Sequence, residues 1–150
     1  MRGAEKLTRE KLLSKVNALI QEWRAILRLG HWDVRAEIVH PSRITDRQAT
    51  ITFNSCNGLA TIQLADPAIL DPPEMWADFY KLEKVIAHEL LHLMLVGMED
   101  IWAHVMEELS PSARNIADKQ WEIASEQPVE LLANILVSLK GGDKDKSIRD

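Results

Sequence analysis

Lys81-Leu82-Glu83-Lys84-Val85-Ile86-Ala87-His88-Glu89-Leu90-Leu91-His92-Leu93-Met94-Leu95-Val96 is the stretch from which the rest of the chain can be read. Its apolar side chains return every three or four positions and cover most of the circumference, as a helix in the middle of a protein requires. The pattern predicts a helix over 74–96, closed near Gly97. Within it His88, Glu89 and His92 fit H-E-x-x-H. At i and i+4 the two imidazoles project from one face about one turn apart, so both can bind one Zn²⁺ through neutral ring nitrogens. Glu89 lies about 100° around the helix from His88, which suits a base acting on water better than a third ligand. Two imidazoles and a carboxylate in an apolar helix are costly to bury unless something satisfies them, and a metal with its water would satisfy all three. The competing reading has both histidines bonded to backbone carbonyls and Glu89 at the surface.

Upstream, Leu12, Val16, Leu19, Ile20, Trp23, Ile26 and Leu27 give residues 7–29 a helical period, with Thr8 as cap, Leu7 and Leu12 as a hydrophobic staple and Gly30 as the stop. From Trp32 the period becomes two and predicts a strand to Val39. Residues 49–53 and 59–64 alternate in the same way around the turn residues Asn54 to Gly58. Short connections favour antiparallel pairing of all three strands. Asp66-Pro67 and Asp71-Pro72-Pro73 make 65–73 a loop. Downstream, 99–109 is expected as a short helix, and Ser110-Pro111 starts another that reaches about Ile123. Pro128 disfavours helical geometry at Gln127, so a break or kink is expected near Ser125. A last helix follows, with Val129, Leu132, Ile135, Leu136 and Leu139 inward, ended by Gly141-Gly142. The division expected is one domain over 1–140 and a flexible polar tail over 141–150.

Composition narrows the function classes. A chain of 150 residues with 46% hydrophobic and 27% charged residues has globular usage and room for one core. It has no apolar run near the roughly 20 residues of a membrane span, and the start MRGAEKLTRE has no signal-peptide core, so a cytoplasmic protein without a membrane partner is expected. Cys56 is the single cysteine, which excludes an internal disulfide and multi-cysteine zinc knuckles. A net charge of −5 makes nucleic acid a poor partner. The tryptophans at 23, 32, 76, 102 and 121 are spread along the chain and are simplest as core or lid anchors. His31 and His40 flank the first strand and need no metal, and no feature sets an oligomeric state.

A catalytic zinc needs a third protein ligand and an open position. The metzincin extension would require Gly at 95 and His at 98, where the chain has Leu95 and Met98. His104, after a turn, is one alternative and would resemble the SprT-like class. The other lies in Ser125-Glu126-Gln127-Pro128-Val129-Glu130, where two acids stand one turn apart. H-E-x-x-H followed a few tens of residues later by E-x-x-x-[D/E] on a second helix resembles the gluzincin metallopeptidases, and the size is similar to the compact minigluzincins and to zincin-like proteins of phages and prophages. Pro128 between the acids departs from the most regular form of that pattern. The resemblance implies His88, His92 and Glu126 as zinc ligands, Glu89 as catalytic base, and Glu130 as acceptor of a hydrogen bond from a ligating histidine, which would fix its tautomer. Exchanging Glu126 and Glu130 fits the same face.

The resemblance also implies an α+β, zincin-like fold: an N-terminal helix behind a small, mainly antiparallel three-stranded sheet, the H-E-x-x-H helix beneath it, and a C-terminal helix bearing the glutamates. Strand 59–64 would resemble the edge strand that pairs with an extended peptide substrate. The activity expected is that of a zinc metalloendopeptidase acting on a peptide or protein, with His104 and Tyr80 as candidate oxyanion stabilisers. The alternative is a zinc-binding, non-hydrolytic regulatory or interaction module on the same fold.

Overall fold

Thr8 has extended backbone, and its Oγ1 accepts the Lys11 N–H at 3.3 Å. From there helix α1 runs Arg9–Ile26 and buries Leu12, Val16, Leu19, Ile20 and Trp23. It stops before Gly30. Arg28 takes left-handed backbone with φ 56°, and the N–H groups of Leu29 and Arg28 donate to the carbonyls of Arg24 at 2.8 Å and Ala25 at 3.3 Å. That pair of bonds is a Schellman closure, built on an arginine where glycine is usual. The computed structural model describes residues 8–44, 48–69, 76 and 78–146, so the staple expected at Leu7 lies outside the described residues.

Three strands follow: β1 (Asp33–Val39), β2 (Ala49–Asn54) and β3 (Leu59–Ala65), in the order β1-β3-β2. β3 pairs antiparallel with β2, Ala49 opposite Leu64 and Asn54 opposite Leu59. It pairs parallel with β1, Asp33 beside Leu59 and Val39 beside Ala65. The mainly antiparallel sheet expected from short connections is therefore a mixed one. The turn 55–58 makes an ordinary hairpin of β2 and β3, whereas the link 40–48 is long enough to pass one strand position, about 4.8 Å wide, which β3 then fills. β3 has a partner on each side, so it is not the edge strand that the sequence led us to expect; β1 and β2 are the edges. Gly58 is obligatory in the hairpin. Its φ is 65°, and a Cβ there would stand 2.9 Å from the His31 carbonyl oxygen.

Asp78 caps the central helix, its Oδ1 accepting the N–H groups of Tyr80 and Lys81 at 3.0 and 3.3 Å. Helix α2 spans Phe79–His92, later in starting than expected, and continues through a 3₁₀ turn, Leu93–Leu95, into α3, Val96–Glu107. Gly97 therefore lies in the first turn of α3 and closes nothing. Leu82, Ile86, Ala87 and Leu90 of α2 are wholly buried, packed with the α1 face and with Val34, Ala60, Ile62 and Leu64 of the sheet.

Helix α4, Pro111–Lys146, closes the core with Val129, Ala133 and Val137. It does not break at Ser125, and it continues past Gly141-Gly142, where an end was expected. An internal proline costs about 3 kcal/mol. Burying Val129 and Val137 against α2 returns about 1.5–3 kcal/mol each, enough to keep the helix whole. The inward stripe steps by four residues. Leu132, Ile135 and Leu139, expected inside, are 46%, 46% and 63% exposed.

Two polar ties hold the layers. Arg9 pairs with the buried Asp66 after β3. Lys140 of α4 pairs with Glu83 of α2 and, at 2.9 Å, with Glu22 of α1, while Trp23 Nε1–H donates to Glu83 at 3.0 Å. The fold is α+β, and no helix among the described residues is long and apolar enough to cross a membrane.

Candidate metal centre

His88 and His92 stand one turn apart on α2, on the face turned to α4, and both are largely buried. Their Nε2 atoms lie 3.2 Å from each other. Glu126, in the middle of α4, brings its carboxylate to both: Oε2 is 3.1 Å from His88 Nε2 and Oε1 is 3.2 Å from His92 Nε2. On the other side of the His88 ring, Nδ1 is 2.9 Å from Glu130 Oε2. Glu126 is thus the acid that the two imidazoles share, and Glu130 reaches the far nitrogen of one of them.

These distances carry a chemical consequence. A neutral His88 that donates its Nδ1 proton to Glu130 has a bare lone pair on Nε2. That lone pair then faces the same small volume as a carboxylate oxygen of Glu126 and the Nε2 of His92, three donor atoms that one cation could share. Tetrahedral zinc with bonds of about 2.0–2.1 Å spaces its ligand atoms on the order of 3.3 Å apart, close to the separations here. His88, His92 and Glu126 could hold a metal ion, since one ligand atom from each lies within 4.8 Å of the others. His104 is exposed on α3 and does not belong to this group.

Glu89 is buried beside the two histidines and lines the cleft of about 620 Å³ between β2, α2 and α4, together with His88, Glu126 and Glu130. It also lines a smaller recess with His92, Glu126 and Glu99. Tyr80 does not reach the cleft. Its hydroxyl lies 3.5 Å from Ser138 Oγ, and Tyr80 itself sits about 12 Å along α2 from His88. Neither Tyr80 nor His104 is placed to meet an oxyanion at the centre.

Two residues that the motif does not announce enter the site. Lys84, one turn before His88 on the same face of α2, holds Glu130 Oε1 at 2.8 Å. The Lys84 hydrogen bond, opposed by burial and assisted by the Lys84 charge and by His88, keeps the Glu130 carboxyl below the usual carboxylate range, so Glu130 stays a strong acceptor. Glu99 comes from α3, seven residues after His92. Burial, then the charges of Asp100 and Glu126, push its carboxyl up. Helical spacing from His88 and His92 is the one signal for either residue, and it cannot tell a site residue from an exposed one.

No family model matches the chain, and neither do the curated proteins or the solved structures.

Proposed function

We propose that this chain is a zinc-dependent metallopeptidase of the gluzincin-like kind, with His88, His92 and Glu126 as ligands, Glu89 as general base and Glu130 orienting His88. One observation carries the reading: two imidazole nitrogens and a carboxylate converge with acceptor atoms facing each other at 3.1–3.2 Å, and a buried glutamate lies beside them in an open cleft. A purely structural site would need neither that glutamate nor the cleft.

Zinc bound there supplies a Lewis acid that polarises a substrate carbonyl and brings the pKa of a water toward neutrality. The chain's own residues do the rest. Glu130 accepts the Nδ1 proton of His88 and so keeps Nε2 bare toward the ion, while Lys84 holds Glu130 in place. Glu89 takes the proton of the attacking water on its carboxylate and passes it to the departing amine nitrogen. An extended peptide would lie along β2, the edge strand beside the cleft, whose outward side has no strand partner among the described residues.

The test is metal content with three variants. Glu126→Ala should weaken zinc retention by orders of magnitude and His104→Ala should leave it intact. Glu89→Gln should keep zinc and fold but lower peptide hydrolysis by about 10² to 10⁴. Protein purified without chelators that holds no stoichiometric zinc, and takes up none on titration, would overturn the metal centre. Normal zinc content with no Glu89-dependent cleavage across a diverse peptide library would overturn the peptidase and leave a binding module.

A further inference from the structure

Beside the metal centre, a recess of about 170 Å³ opens between β2 and the start of α3. Ile51, Phe53 and Thr50 of β2 form one wall, and Glu99 stands among the groups opposite. Glu99 is half-buried, and no described residue gives it a hydrogen bond or a cation; the charges that act on it, Asp100 and Glu126, have its own sign. It is also outside the set of atoms that could share an ion with His88 and His92. Its carboxylate therefore remains open to pair with a positive group that enters the recess.

Resting on the peptidase reading above, we propose that this recess is a specificity pocket in which Glu99 holds a cationic group of the substrate beside the scissile bond. The shape of the wall favours a lysine or arginine side chain. Such side chains lay an apolar stem along hydrophobic surface and keep the charge at the tip, and the recess offers an Ile51–Phe53 surface with a carboxylate nearby. A free α-amino group has the same charge without the stem. The neighbouring part of the cleft carries Lys81 and Lys84 beside Glu122, Glu126 and Glu130, and Lys84 is already paired with Glu130. Glu99 differs from these acids in having no cation or hydrogen-bond donor among the described residues, so it is the carboxylate left to select a positive group.

Binding tests this without hydrolysis. Zinc-loaded Glu89→Gln protein is titrated calorimetrically with end-capped peptides that differ at one position, lysine, norleucine or glutamate, and with the norleucine peptide left uncapped at its N-terminus. Norleucine keeps the stem and removes the charge. The lysine peptide should bind about tenfold tighter than the capped norleucine peptide, and the advantage should shrink as salt rises. Adding Glu99→Gln should bring the two within about twofold, and Glu99→Lys should turn the preference toward glutamate. An advantage for the uncapped norleucine peptide that also depends on Glu99 would identify the cation as an α-amino group. Equal binding of lysine and capped norleucine peptides, or a lysine preference that survives both Glu99 variants, would overturn the pocket. Loss of hydrolysis in the wild type alone would overturn the peptidase and leave the affinity ratio to decide this proposal.

Discussion

At the scale of single residues, the most consequential charge outside the metal centre is that of Lys140. Burial opposes its ammonium, yet hydrogen bonds to Glu83 and Glu22, with their charges, outweigh burial and raise its pKa above the usual lysine value. A pKa raised on folding contributes stability that is fully present below the unfolded value and is lost as pH rises through the folded one. Lys140→Met should therefore destabilise the protein at neutral pH, by about 3 kcal/mol, because Glu83 would be left buried with only the Trp23 N–H. The gap between variant and wild type, measured by urea denaturation, should narrow above about pH 10.5. The double variant Glu83→Gln with Lys140→Met should recover much of the loss; if it does not, the pairing is not what holds these helices together. None of this triad is legible in the sequence, where Glu22, Glu83 and Lys140 look like ordinary surface charges. His88, Glu89 and His92 stand out in the sequence because H-E-x-x-H is a spacing that puts two imidazoles on one helix face, where either could bind a metal. Glu99 does not, because its position depends on how the 3₁₀ turn Leu93–Leu95 sets α3 relative to α2.

Among the elements, α2 was readable as a helix but not at its ends, since an apolar helix with one polar corner has few alternatives while its start and the 3₁₀ turn after His92 leave no clear mark in the pattern. The sheet was readable as three strands and not as an order: local alternation sets a strand, while its neighbours depend on where the link 40–48 carries the chain. Helix α4 shows the opposite failure. Local chemistry argued for a break at Pro128, and packing on α2 overrode it. Pro128 leaves the Ala124 carbonyl without its usual helical N–H partner, two residues before Glu126. Pro128→Ala should restore that bond and stabilise the protein by about 1–3 kcal/mol, read as a shift of the urea midpoint at unchanged slope. An unchanged or lowered midpoint would mean that the helix is already adapted to the proline.

For the whole molecule, the metal would join α2 to α4 across the intervening α3. Zinc at about a hundred times its Kd adds about 2.7 kcal/mol to stability, which for a chain of this size raises Tm by roughly 5–10 °C. Chelation should reverse the gain. In hydrogen exchange, protection should fall around 88–92 and 122–130, while α1 and the sheet, held by their own core, keep theirs. A uniform loss, or none, would mean that the ion does not bridge these helices. The bridge also has a place in time. A ribosome releases the two histidines and the glutamate between them well before Glu126, and the residues that shelter the inner face of α2, Val129 to Val137, come later still. A growing chain therefore passes through a stage with most of its core residues made and no Glu126 to complete the metal-binding group. In a host cell, any hydrolytic capability would arrive only with the last helix, after all three strands have been made.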